Sequence, residues 1–151
     1  MSDPVSFTST TPRHALPLLF AGQAQKEFFV NESFALLDAL LHPFVEAETN
    51  TPPQTPVVGQ CWLVGSAPSG TFAGHTGAIA CWDGKAWLFA SPREGMSLRV
   101  KSDGSRIRGA ASWTRVAAPA APTGGSVVDQ QARDAIATVI ARLSSWGAFS
   151  P

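Results

Sequence analysis

The residues best suited to binding something are Trp62, Trp82, Trp87 and Trp113, gathered between positions 59 and 116 together with Phe72 and Phe89. Indole faces stack on the apolar faces of pyranose rings, so these four are candidate sugar-stacking residues. They are also what a small β domain uses to fill its centre, and core packing is the favoured expectation, with one or two of the four left open. Trp82 and Trp87 flank Asp83-Gly84. They are expected to face each other across a turn, an aromatic pair worth about 0.5 to 1.5 kcal/mol beyond its buried area.

Groups suited to acid–base, nucleophilic or metal chemistry are thinly spread. His75 sits in a loop punctuated by Gly70, Gly74 and Gly77, which has neither the lysine of a phosphate loop nor the strand-to-helix setting of a dinucleotide fingerprint. His14 and His42 fall in an N-terminal arm and at a helix end, without the spacing of metal ligands. No metal site is expected, and His75 is expected to be a structural, hydrogen-bonded residue. The acids of the Trp-rich region are Asp83, Glu94 and Asp103. They form no evident carboxylate pair and accompany no nucleophile with its base. No catalytic residue, no cofactor and no enzymatic activity are therefore expected. Cys61 and Cys81 each directly precede a tryptophan. Two cysteines are too few for a disulfide scaffold, and they are expected to be small buried thiols rather than a cross-strand disulfide.

The elements that must position these residues follow from composition. Of 151 residues, 15% are charged, against roughly 25% in typical globular chains, so part of the surface is expected to be covered by a partner, most simply another copy. Eleven basic side chains balance eleven acidic ones. No basic stripe forms, which argues against nucleic acid as a partner. The apolar runs fall well short of the roughly 20 residues that span a bilayer, and the N-terminus has no basic region followed by a hydrophobic run, so no signal peptide is expected. Membrane insertion is not expected, and the chain is expected to be made in the cytosol. Residues 1–20 carry Pro4, Pro12 and Pro17 and predict an extended arm whose apolar end, Leu16 to Phe20, lies on another surface. Residues 21–48 form a helical attachment segment, with Phe34, Leu37, Leu41 and Phe44 as its apolar stripe. Asn31 is a candidate N-cap for a shorter helix over 32–42.

Residues 57–116 predict a Trp-rich β domain with strands near 60–64, 77–82, 86–90, 97–101 and 112–116. The turn signals Asp83-Gly84-Lys85 and Asp103-Gly104 suggest an antiparallel meander or partly closed barrel. An Ala/Pro/Gly linker over 117–126 leads to a C-terminal helix over 127–147. Its Val128, Ala132, Ile136, Val139, Leu143 and Trp146 recur in steps of four, four, three, four and three, a short coiled-coil seam. Asp129 and Arg142 suit the helix dipole, and Gly147 supplies a stop. Such a helix is marginal alone. It either folds back on the β unit or bundles with copies of itself, and bundling is favoured.

Thr11-Pro12-Arg13, Leu16-Pro17, the run Ala21-Gly22-Gln23-Ala24-Gln25-Lys26-Glu27, Asn31-Glu32 and Leu37-Asp38-Ala39-Leu40 together resemble a family of phage structural domains. The likeness continues through residues 59–64 and 70–77, Ile79-Ala80, Trp82, Trp87-Leu88-Phe89 and Pro92-Arg93-Glu94-Gly95. This is an uncharacterised family found in phages, prophages and gene transfer agents of alphaproteobacteria. The resemblance covers about residues 11–95 and implies a virion component: a tail fibre, spike or spike base, sometimes the first module of a longer receptor-binding or glycan-processing spike. Ending at residue 151, the chain is expected to lack such a larger body. The family offers no active site to carry over.

The expectation is thus an α+β protein with an arm, a helix, a small β meander or partly closed barrel, and an oligomerising C-terminal helix. It is read as a structural part of a phage-like particle, assembled in the bacterial cytoplasm. The polar residues Gln23, Gln25, Lys26, Glu27, Asn31 and Glu32 are the candidate attachment face to other virion proteins. A homotrimer is favoured and a pentamer is the runner-up. A carbohydrate-binding module for host surface polysaccharide is the alternative, and a small glycan hydrolase a weak third.

Overall fold

The Pro-rich start of the chain does not run out straight in the computed structural model, which describes residues 9–22, 24, 26–109 and 112–149. Leu18 N–H donates to the Ser9 carbonyl at 3.0 Å, Thr11 N–H donates to the Leu16 carbonyl at 2.9 Å, and Thr10 bridges Pro17. Residues 9–18 therefore double back as a narrow loop, with Ala15 in the left-handed region at φ 53°. This corrects the extended arm over these residues; positions 1–8 of that arm lie outside the described residues. Proline excludes helix, but it suits a turn as well as an extended strand. What decides between them is a buried acceptor elsewhere in the fold.

The chain divides into two compact units, Met1–Ser91 and Pro92–Pro151. The boundary falls inside the segment that composition presents as one β domain. In the first unit, helix α1 spans Lys26–Leu40 and ends ahead of Pro43, whose ring disfavours helical geometry in the residue before it. Its inward face is unexpected. Glu27, Asp38 and Ala39 are buried, while Phe28, Phe29, Leu37 and Leu41 are exposed. Of the stripe predicted through Phe34, Leu37, Leu41 and Phe44, Leu37 and Leu41 are exposed and Phe34 and Phe44 half-buried, and polar contacts share in seating this helix.

After β1 (Phe44–Val45), the first unit builds a sheet in the order β2 (Glu48–Thr49), β3 (Cys61–Val64), β4 (Ile79–Trp82), β5 (Trp87–Ala90). Strands β3, β4 and β5 form the expected antiparallel meander, but β2 joins β3 in parallel, with Glu48 opposite Leu63. A parallel neighbour needs a crossover rather than a hairpin. The Pro-rich stretch between β2 and β3 supplies it. All four residues of β3 are buried, which is why Cys61-Trp62-Leu63-Val64 shows no alternation. On one face Trp62, Val64, Phe72 and Ala80 form a core bordered by Ala47, Trp87 and Phe89. On the other, Cys61 lies opposite Cys81 in the register, and the two are joined as a disulfide. The expectation of two thiols is corrected here. The register that brings the cysteines face to face is a tertiary fact that spacing does not reveal.

The Asp83-Gly84 turn forms as anticipated: Asp83 Oδ1 accepts from the N–H groups of Lys85 and Ala86, each at 2.7 Å, and Gly84 takes φ +101°. Trp82 and Trp87 pair across it, ring centroids 5.1 Å apart.

The second unit contributes three antiparallel strands, β6 (Ser97–Val100), β7 (Arg106–Gly109) and β8 (Trp113–Thr114). Strand β7 is absent from the sequence expectation because arginines occupy two of its four positions. Its alternation is nevertheless regular, with Ile107 and Gly109 buried and Arg106 and Arg108 exposed. The described strands close no barrel. Helix α2 runs over Gln130–Ser145. Asp129 is its N-cap, accepting from Ala132 N–H at 3.0 Å. At its other end Gly147 N–H donates to the Ser144 carbonyl and Ala148 N–H to the Leu143 carbonyl, each at 2.9 Å, a Schellman closure that requires the positive φ of Gly147.

Candidate functional site

The densest polar constellation in the first unit is organised by Asp38, whose side chain is only 2% exposed. Its Oδ1 accepts from Thr11 Oγ1 at 2.7 Å and from His14 N–H at 2.7 Å, and its Oδ2 from Arg13 N–H at 2.9 Å. His14 Nδ1 lies 3.1 Å from the same Oδ1. Burial, the largest single influence, pushes the Asp38 carboxyl up. The bonds from Thr11, Arg13 and His14 outweigh it and hold the pKa below the ordinary carboxylate value. A lone aspartate within Leu36-Leu37-Asp38-Ala39-Leu40-Leu41 is thereby explained: it is the acceptor around which the N-terminal loop turns.

Arg13 completes this knot. Its guanidinium donates to three carbonyls, Gly59 at 2.8 Å, Ala39 at 3.2 Å and Phe44 at 3.2 Å, and lies over the Phe44 ring at 3.8 Å. One side chain thus ties the loop, the end of α1 and the entry to β3 together. Gly59 has to be glycine here, since a Cβ would come within 2.6 Å of the Pro12 side chain and its φ is +84°. At the solvent edge, His14 Nε2 faces His42 Nδ1 at 3.2 Å, with ring centroids 5.3 Å apart. Two histidines separated by 28 residues are therefore neighbours, which linear spacing concealed. No group of three or more His, Cys, Asp and Glu at metal-holding distance occurs among the described residues.

The candidate attachment residues scatter in role. Asn31 is engaged internally: its Oδ1 accepts from Leu19 N–H at 2.8 Å and its Nδ2 donates to the Leu19 carbonyl at 3.0 Å. Glu27 is buried, with Oε1 accepting from Gly22 N–H at 3.1 Å and Oε2 unpaired among the described residues. Lys26 and Glu32 are exposed, and Gln23 and Gln25 lie outside the described residues. The helix face proposed from sequence is therefore divided. Part of it holds the protein's own N-terminal loop.

None of the four candidate stacking tryptophans is fully exposed. Trp62 is buried, and Trp82, Trp87 and Trp113 are half-buried. Trp62 and Trp87 meet edge to face at 5.5 Å, and Trp87 meets Phe72 at 5.0 Å. Trp113 belongs to the second unit, where its ring packs against Gly109. In the glycine-punctuated loop a short 3-10 turn over Gly70–Phe72 drops Phe72 into the core, and exposed His75 stacks flat on Phe89 at 3.6 Å. Phe72 is the loop's structural purpose, and the sequence offered no signal that separated it from the other aromatics.

The residues expected to form an oligomerising seam are uniformly exposed. No residue of α2 is buried; Arg133 and Ile140 are half-buried, and Val128, Ala132, Ile136, Val139, Leu143 and Trp146 are all exposed. Arg133 donates to the carbonyls of Pro122 and Gly124 near the helix start. At the far end Arg106 N–H donates to the Gly147 carbonyl at 2.6 Å, and the Arg106 guanidinium stands 4.9 Å from the Trp146 ring centre. Trp146 therefore helps secure the helix terminus as well as extending the seam. In the turn joining β6 to β7, Asp103 accepts from Ser105 N–H and Oγ and pairs with Arg115 at 3.1 Å. Burial raises its carboxyl, but these partners outweigh burial and lower it.

Residues 30–114 match the family described as "Protein of unknown function (DUF2793)". No curated protein and no solved structure matches the chain. The family match starts within α1 and runs through β8, leaving the N-terminal loop and α2 outside it. Because it takes in more than half of the 151 residues, the chain belongs to the DUF2793 family.

Proposed function

We propose that this protein is a non-enzymatic structural component of a phage-like particle, a fibre, spike or spike base assembled in the bacterial cytoplasm. It self-associates through α2 and attaches to a neighbouring virion protein through its N-terminal part. The observation that carries the self-association is the seam of α2. Val139 is 56% exposed and Trp146 66% exposed on a helix that buries none of its residues. A 16-residue helix has little stability of its own in water. Bundling with copies covers the seam and removes that apolar area from solvent. The particle itself is suggested by the sequence resemblance. A trimer is the proposed state, with a pentamer next.

The attachment surface is better assigned to the exposed apolar residues of α1 and its C-terminal end than to its polar residues. Phe28 is 68% exposed and Phe29 76%, with Leu37 and Leu41 also open. Exposed apolar side chains such as the neighbouring Phe28 and Phe29 suit a docking contact. Carbohydrate binding through Trp62, Trp82, Trp87 or Trp113 has weaker support, since stacking needs an open indole face and all four are at least half-buried.

Light scattering of the full chain and of a form lacking residues 127–151 tests the proposal. A trimer or pentamer that falls to monomer on truncation is the expected result. A monomer in both forms, or an unchanged oligomer, overturns self-association through α2.

A further inference from the structure

We propose that His14 and His42 form a binding site for a single first-row transition-metal ion, with zinc as the fitting ion and Asp38 as the carboxylate that orients it. This stands apart from the assembly proposal and rests on separate residues. Two imidazole nitrogens bound to a tetrahedral zinc at about 2.0 to 2.1 Å lie about 3.3 to 3.4 Å from each other. His14 Nε2 and His42 Nδ1 are 3.2 Å apart, so a shift of a few tenths of an ångström admits the ion.

The orientation of His14 is imposed from behind. Asp38 Oδ1 lies 3.1 Å from His14 Nδ1, and the same carboxylate holds the His14 backbone N–H at 2.7 Å. An ionised carboxylate accepts a hydrogen bond from Nδ1–H and so keeps the proton on that nitrogen, which leaves the Nε2 lone pair turned toward His42. Carboxylate, imidazole and metal in that order are a recurrent arrangement, in which the outer carboxylate fixes the tautomer and raises the basicity of the ligand. Asp38 is itself fixed by Thr11 and Arg13, so the arrangement is preorganised by the knot that folds the N-terminal loop.

Both histidines are exposed, which gives a solvated ion access and leaves its remaining positions to water. Without metal, His42 Nδ1–H donates to His14 Nε2. On binding, that hydrogen bond breaks and two bonds form, from zinc to His14 Nε2 and from zinc to His42 Nδ1. The His42 proton moves to its own Nε2, and four of the six waters of the aquo ion leave, the remaining two completing the tetrahedron. No redox change and no net proton release accompany the step between neutral imidazoles. Two protein ligands are fewer than a closed structural site uses, so the ion exchanges freely.

The test is calorimetric titration of the metal-stripped full chain with zinc chloride, beside His42→Ala and His75→Ala. The expected result is one zinc per chain, binding at least about tenfold weaker in His42→Ala and unchanged in His75→Ala, whose ring stacks on Phe89. Circular dichroism of each variant confirms the fold. Long-range nitrogen–proton spectra of the histidine rings give a second readout: zinc should move His14 Nε2 and His42 Nδ1 and leave His75 in place. Equal affinity of the wild-type chain and His42→Ala, absence of binding, or shifts confined to His75 would each overturn the site.

Discussion

Helix α1 is tied down along its length by polar side chains, Glu27 to Gly22, Asn31 to Leu19 and Asp38 to Thr11, Arg13 and His14, whereas α2 is secured at its two ends and buries nothing between them. Both helices turn apolar residues toward water. In α1 these are Phe28, Phe29, Leu37 and Leu41, and in α2 the seam from Val128 to Trp146. The contrast separates two meanings of an exposed apolar face. On α1 it lies on a helix that the fold already holds in place, which suits a docking contact. On α2 it lies on a helix with little else to hold its middle, which is the feature the proposed self-association would cover.

The contrast can be broken most forcefully at Asp38. Asp38→Ala leaves the donors of Thr11, Arg13 and His14 without an acceptor in a buried place and should cost about 3 kcal/mol or more, measured by urea denaturation followed through tryptophan fluorescence. Acid addresses the same group. Because the folded pKa of Asp38 lies below its unfolded value of about 3.9, its contribution is fully present above that value and is lost as pH falls through the lowered folded one. Stability should therefore drop steeply below about pH 4, and Asp38→Asn should flatten that limb of the pH profile. A parallel limb in the variant would remove Asp38 from the account.

Smaller effects sharpen the difference between the helices. Asn31→Ala removes both hydrogen bonds to Leu19 and should cost about 1 to 2 kcal/mol in the same denaturation experiment. Removing the α2 cap with Asp129→Ala should cost about 1 kcal/mol of helix stability, seen as lower helicity in far-ultraviolet circular dichroism. Least disruptive to the folded monomer is Val139→Asp, with a change within about 0.5 kcal/mol at a site so exposed. In sedimentation it should nevertheless dissociate the proposed oligomer. A Val139→Asp chain that keeps its full assembly would place the contact elsewhere.

Local features were readable wherever chemistry and neighbours in sequence coincide. Asp83-Gly84 marked a hairpin because an aspartate beside a glycine supplies both the acceptor and the positive φ. Gly147 marked the end of α2 for a similar reason, whereas Asp129, read as a first-turn charge, is the N-cap. Strand β7 escaped notice because Arg106 and Arg108 mask the alternation of Ile107 and Gly109, and the parallel entry of β2 is invisible to any count of turns. The candidate site was legible only in fragments. Asp38 and Arg13 entered the sequence reading only within the runs that carry the family resemblance, and nothing in either position says that they meet.

What the sequence by itself determined is the set of short-range structures: two helices, the stop at Gly147, the tight turns, and a Trp-rich strand region. Their hydrogen bonds and φ preferences are satisfied within a few residues. Asn31, expected to cap a helix over 32–42, lies inside α1 and bonds Leu19 instead. Tertiary structure alone decided which face each helix turns inward, that Cys61 and Cys81 lie opposite each other, and that His14 meets His42 beside Asp38. Those outcomes depend on register and on one buried carboxylate competing successfully for donors 24 to 27 residues away. Such a competition is settled by desolvation and geometry in the folded chain, where each buried donor without an acceptor costs about 1 to 3 kcal/mol.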